Sequence, residues 1–178
     1  MGPDKTKSPN SLTQTGNYEL TSHSPDETQQ LGRYIGELAV PGDIFLLVGS
    51  LGAGKTCLTQ GIAWGLGIKE YTLSPSFVLI RELNGRLPLY HIDLYRLDRL
   101  EEIVDLGLDD YLYGNGVCAV EWAEKGLSIL PPEHLLIEIG YLGDTERIFQ
   151  LKPSGRRYLE MVRKLKSLAL TNQKSGSS

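Results

Sequence analysis

The chain has 178 residues, 40% of them hydrophobic, and a formal net charge of −4. That length fits one domain with one packed core, and the acidity excludes a protein whose whole surface attracts nucleic acid. The charge is uneven: from Lys152 onward seven Lys/Arg face Glu160 alone, which leaves −10 on the rest, so a basic C-terminal helix reads as a solvated face, or as a contact for RNA or an acidic partner.

Residues 1–17 are polar, without an apolar period, and are expected to form a disordered N-terminal tail. Residues 171–178 are expected to be a disordered C-terminal tail, leaving 18–170 as one domain. A short strand is expected at 18–23. Ser24, Pro25 and Glu27 then have the spacing of a capped helix start, and Leu31, Ile35 and Leu38 follow at helical spacing. Pro41-Gly42 ends that helix. The apolar run 44–48 predicts a buried strand, and 56–66 the next helix. Asn84-Gly85 between two apolar runs predicts a hairpin of strands 77–83 and 87–94. A helical stretch at 97–112 breaks at Gly107. Strands follow at 117–121, 135–141 and 147–151, then a helix at 155–168. The pattern predicts an α/β fold: a single P-loop NTPase-like domain with a mixed, mostly parallel sheet flanked by helices, and an antiparallel hairpin.

The longest apolar runs fall far short of the roughly 20 residues a membrane span needs. The N-terminus lacks a signal-peptide core. The two cysteines, Cys57 and Cys118, form no metal-binding pair. These features lead to the expectation of a cytoplasmic protein with reduced thiols and no membrane partner.

Chemistry concentrates at Gly49-Ser50-Leu51-Gly52-Ala53-Gly54-Lys55-Thr56, which satisfies G-x-x-x-x-G-K-[ST] between a strand and a helix. Successive N–H groups of such a loop form a concavity for phosphate oxygens. Lys55 reaches the β- and γ-phosphates, and the Thr56 hydroxyl ligates Mg²⁺. The metal also needs a carboxylate at the end of a neighbouring buried strand. Glu121 closes the strand at 117–121, and Asp93 closes the run Leu89-Tyr90-His91-Ile92-Asp93. Glu121 is the favoured Mg²⁺ ligand, direct or through water. Asp93 then orients the attacking water or holds the metal's outer waters; the alternative is pairing with Arg96 or Arg99. His91 shares the face of Asp93, and touches nucleotide or partner, or is a core histidine behind the site. Ser74-Pro75-Ser76-Phe77 lies on a loop that could carry Ser76 to the γ-phosphate as a switch.

Four segments in this order, the P-loop, Ser74-Pro75-Ser76-Phe77, His91-Ile92-Asp93-Leu94-Tyr95-Arg96 and Val120-Glu121-Trp122, resemble the bacterial TsaE (YjeE) family. The similarity spans about residues 18–151. It implies an ATPase of tRNA threonylcarbamoyladenosine biosynthesis, weak alone, that uses ATP and Mg²⁺ to reset a transferase complex. The partners it implies are TsaD and TsaB, with tRNA met through that complex. It implies catalytic roles for Lys55, Asp93 and Glu121, and Mg²⁺ held by Thr56, Glu121 and Asp93. It also places Trp122 beside the nucleotide or the partner, and Glu27 and Thr28 near the base. Two positions depart from the family pattern. Cys57 stands where the family has Thr, so its backbone N–H still meets phosphate but a hydroxyl is lost. Ser76 stands where the family has Thr and keeps the hydroxyl. The competing readings are a small-molecule P-loop kinase, which phosphate transfer to a metabolite would reveal, and a nucleotide-gated binding module with negligible turnover. The guanine-reading N-K-x-D is absent, which favours ATP.

Overall fold

The computed structural model describes residues 16–70 and 79–175, with side chains given as far as residue 172. The expected N-terminal tail, apart from Gly16 and Asn17, and the segment Ser74-Pro75-Ser76-Phe77 lie outside the described residues. The elements run β1 (Tyr18–Ser22), α1 (Pro25–Leu38), β2 (Ile44–Val48), α2 (Lys55–Gly65), β3 (Ile80–Asn84), β4 (Pro88–Asp93), α3 (Leu100–Asp105), α4 (Asp109–Leu112), β5 (Val117–Glu121), β6 (His134–Tyr141), β7 (Arg147–Ser154) and α5 (Arg156–Ser175). A 3₁₀ turn, Ala123–Lys125, follows β5.

The strands form one sheet in the order β1-β7-β6-β2-β5-β4-β3. The β6–β2, β2–β5 and β5–β4 pairings are parallel. The outer pairings β1–β7, β7–β6 and β3–β4 are antiparallel. The sheet is therefore mixed and flanked by helices as expected, but evenly mixed rather than mostly parallel. The reason is β7, which returns from β6 as a hairpin and takes β1 as a second antiparallel partner.

β2 is sandwiched between parallel neighbours, which is why it reads as a continuous apolar run. Phe45 and Leu47 join Leu31 and Ile35 of α1, Leu58 and Ile62 of α2, and Met161 and Val162 of α5 on one face. Ile44 and Leu46 join Ile103 of α3 and Leu112 of α4 on the other. α1 and α2 approach so closely that a Cβ at Gly61 would overlap the Gln29 carbonyl, and one at Gly36 the Ile62 carbonyl. This contact fixes α2, and with it the phosphate loop, against the body. No helix among the described residues is long and apolar enough to cross a membrane.

Three local differences from expectation have clear causes. The hairpin pairs Asn84 with Pro88, so its loop is the three residues 85–87 rather than Asn-Gly alone. Arg86 explains the extra residue. Its N–H donates to Leu66 O at 2.7 Å, and its Nη2 donates to Gly36 O at 2.9 Å and Ala39 O at 3.1 Å. The helical stretch after β4 begins only at Leu100, because Glu102 Oε2 accepts the Asp98 and Arg99 N–H groups and fixes the start there. α5 runs to Ser175, into the stretch expected to be disordered. Thr171 Oγ1 donates to Ser167 O at 2.9 Å, and the Asn172 amide reaches the Tyr34 hydroxyl on α1.

α1 has no basic residue in its last turn. Arg86 supplies the missing donors, and Arg157 adds one to Leu38 O at 2.7 Å while gripping Asp43. Arg86→Ala is expected to cost about 1.5–3 kcal/mol, the range for hydrogen bonds that involve a charged group. Urea unfolding measures it; a midpoint unchanged from the parent would mean that water serves those carbonyls equally well.

Candidate functional site

The site lies at the carboxyl ends of the central parallel strands, where open α/β sheets bind ligands. The register places Leu47, Glu121 and Asp93 abreast on β2, β5 and β4. Alternation puts Leu89, His91 and Asp93 on one face of β4, and Val117, Ala119 and Glu121 on the same face of β5. That face packs against α2. The loop from β2 therefore delivers the first turn of α2 directly over the two carboxylates.

Gly54 caps α2 with φ at 112°, a left-handed conformation closed to most side chains. Among the described residues no side chain caps this helix. Its first N–H groups are thus left for an anion, reinforced by the helix dipole. Two long-range contacts hold the loop from outside: Tyr141 donates its hydroxyl to Leu51 O at 2.8 Å, and Arg147 Nε donates to Ala53 O at 3.0 Å.

Beneath the loop, the Thr56 hydroxyl lies 3.1 and 3.3 Å from the two Glu121 oxygens. His91 Nε2 lies 2.8 Å from Glu121 Oε1. Thr59, one turn on, donates to Lys55 O at 2.9 Å and sits 3.4 Å from the same Oε1. Glu121 is 2% exposed and Asp93 6%, so each carboxylate is largely withdrawn from bulk water. Asp93 Oδ1 accepts the Tyr95 N–H at 2.9 Å.

Lys55 Nζ donates to Gly49 O at 2.5 Å and Ser50 O at 3.0 Å. It also stands 4.0 Å above the Trp122 ring, a cation–π contact. Burial lowers its pKa, and Glu121, Glu124 and Asp93 oppose that shift. Trp122 has φ at 57°, the one positive-φ non-glycine among the described residues. For a bulky side chain this is a strained conformation. Its ring packs against that of Tyr95 at a tilt of 41°, with the centroids 5.0 Å apart.

A cleft of about 430 Å³ joins these groups, lined by P-loop residues together with Thr56, Cys57, Asp93, Arg96, Glu121 and Trp122. A smaller cleft of about 200 Å³ continues past the loop between Thr28, Cys57 and Arg147. Among the described residues no three metal-ligating His, Cys, Asp or Glu side chains cluster. The oxygen donors Thr56, Glu121 and Asp93 suit Mg²⁺, which is usually held by one or two carboxylates together with substrate phosphates. The donor set therefore fits a metal that arrives with a phosphate ligand.

The structure brings together Lys55, Thr56, Asp93, Glu121 and Trp122 as expected. Thr28 lines the smaller cleft, while Glu27 lines neither. Its Oε2 accepts the His23 N–H at 2.7 Å, at the start of α1. Burial and Asp26 raise the Cys57 thiol pKa, and Cys57 donates to Pro25 O at 3.4 Å. Ser76 lies outside the described residues. Thr59, Tyr141 and Arg147 were not expected at the site. The spacing of Thr59 three residues after Thr56 was a usable signal, but Tyr141 and Arg147 carry none.

The family model described as "Threonylcarbamoyl adenosine biosynthesis protein TsaE" matches residues 22–149. The chain is similar to the tRNA threonylcarbamoyladenosine biosynthesis protein TsaE of Bacillus subtilis, 48% identical over 136 residues, covering 76% of this chain and 85% of that one. The Treponema pallidum protein of the same name is 44% identical over 126 residues, covering 71% and 93%. The crystal structure of Bacillus YdiB superposes with a TM-score of 0.75 at 39% identity, covering 86% of this chain and 96% of that one.

Proposed function

The chain belongs to the TsaE family of threonylcarbamoyl adenosine biosynthesis proteins, and from that premise we propose that it binds and hydrolyses ATP with Mg²⁺ in tRNA threonylcarbamoyladenosine biosynthesis. One observation supports this reading above the others: the Thr56 hydroxyl rests on the buried carboxylate of Glu121 at the mouth of the P-loop. A threonine hydroxyl can give its proton to that carboxylate and turn a lone pair to a metal. Glu121 is thereby favoured over Asp93 as the carboxylate beside the metal.

Thr56, Glu121 and Asp93 would hold Mg²⁺, which neutralises charge on the β- and γ-phosphates when bound. Phosphate oxygens take Lys55 from the Gly49 and Ser50 carbonyls, exchanging neutral acceptors for charged ones. Asp93, beside Glu121 on the neighbouring strand, would accept a hydrogen bond from the attacking water. Trp122 shields Lys55 from solvent on the side of its ring. The α2 N-terminus and the loop N–H groups hold the phosphate chain, and Thr28 and Cys57 line the space toward the base.

Hydrolysis is proposed to be slow in the isolated chain and stimulated by TsaD and TsaB, whose complex it resets in the cytoplasm; tRNA is met through that complex. ATP turnover, measured with and without the cognate TsaB–TsaD pair, tests this. Strong stimulation is expected. Fast turnover unchanged by the pair would indicate an independent nucleoside triphosphatase. Bound nucleotide with no turnover in either case would indicate a gated binding module.

A further inference from the structure

We infer that His91 is a positioning residue for the Glu121 carboxylate, and that it governs the magnesium-dependent part of nucleotide binding rather than nucleotide binding as such. The inference rests on the metal role proposed for Glu121. His91 is wholly buried, at 0% exposure. Its Nε2 lies 2.8 Å from Glu121 Oε1, while its Nδ1 has no hydrogen-bond partner among the described residues. A buried polar atom left unpaired destabilises a protein. An apolar residue of similar size would fill this space without that cost, so packing does not account for a histidine here. Its one side-chain hydrogen bond among the described residues goes to Glu121.

The donor follows from the partner: an ionised carboxylate only accepts, so Nε2 carries a proton. The effect on Glu121 is asymmetric. Oε1 is within reach of His91 and of both threonine hydroxyls, the nearest being His91. Thr59 has a single proton, and Lys55 O at 2.9 Å is its nearer acceptor. Oε2 has Thr56 at 3.3 Å as its hydrogen-bond neighbour. His91 thus ties Oε1 to the core, while Oε2 has the Thr56 hydroxyl as its hydrogen-bond neighbour among the described residues. Register supports the geometry: His91 pairs with Ala119 and Asp93 with Glu121. The two side chains thus meet across a two-residue offset in register, through the Nε2–Oε1 hydrogen bond.

The test is titration of a fluorescent ATP analogue into the full chain, first in EDTA and then over a Mg²⁺ series. Wild type, His91→Leu and His91→Gln are expected to bind alike in EDTA. His91→Leu is expected to need about 10–100-fold more Mg²⁺ for its half-maximal effect, the usual result of losing a group that orients a metal ligand. His91→Gln, whose amide nitrogen sits near the place of Nε2, is expected to keep the wild-type midpoint. Equal midpoints for wild type and a folded His91→Leu would overturn the inference. If wild type binds nucleotide without any Mg²⁺ effect, the metal role of Glu121 fails first, before any substitution is made. If His91→Leu does not fold, His91→Asn replaces it. A displaced midpoint in Asn with a wild-type midpoint in Gln supports positioning, and identical behaviour of the two overturns it.

Discussion

Glu121→Gln is expected to retain ATP but to lower turnover by about 10²–10³-fold, the usual loss when one preorganised electrostatic group leaves a catalytic site. The substitution keeps the side chain's length and its oxygen toward His91. The fold should therefore survive, which alanine would put at risk: it would strand the His91 Nε2–H in a buried place. What glutamine removes is the charge beside Thr56. Nucleotide affinity depends mainly on the loop N–H groups, the α2 N-terminus and Lys55, none of which changes. Loss of the Glu121 charge also relieves one of the influences that hold Lys55 protonated, but Asp93 and Glu124 remain. Single-turnover hydrolysis measured beside equilibrium binding separates the two effects. Wild-type turnover in Glu121→Gln would move the metal site to Asp93 and remove Glu121 from it.

The parts of the site that were legible in the sequence are those written in contiguous residues. The P-loop is one run of eight, and its strand and helix flank it directly. Asp93 and Glu121 could be picked out because each ends an apolar run of strand length. What joins them is not local. His91 and Glu121 lie 30 residues apart, Arg86 and Gly36 50, and Arg147 and Ala53 94. Such contacts depend on strand order, and order was not readable from any single segment. The sheet shows the same limit. Each strand was expected near its place, but the pairing of β1 with β7 brings together the two ends of the domain, so the share of antiparallel pairing was underestimated. Glu27 carried two compatible meanings, a cap residue and a neighbour of the base. The structure shows the first of these, since its side chain reaches back to the His23 N–H. The close approach of α1 and α2 was present in the sequence as Gly32, Gly36, Gly61 and Gly65, yet glycine weakens a helix and reads as a break rather than as a contact.

Lys55→Ala is expected to weaken ATP binding by two orders of magnitude or more, corresponding to the roughly 2–5 kcal/mol or more lost when one partner of a buried charge pair is truncated. The lysine is 5% exposed, so its ammonium acts in a medium that screens it poorly. It is already desolvated before nucleotide arrives, which burial registers as a lowered pKa. Phosphate binding therefore does not have to strip it of water. It has only to replace the Gly49 and Ser50 carbonyls, neutral acceptors that become available to other donors once released. The Trp122 ring at 4.0 Å can follow the ammonium only as far as its own strained backbone allows, so indole fluorescence should report the exchange directly. In wild type, added ATP is expected to change that signal; in Lys55→Ala the same addition should leave it flat. Calorimetry gives the affinity independently of the indole. An affinity in Lys55→Ala within a few-fold of wild type would remove this lysine from the phosphate site, whereas a lost affinity with an unchanged melting temperature would locate its contribution in the ligand rather than in the fold.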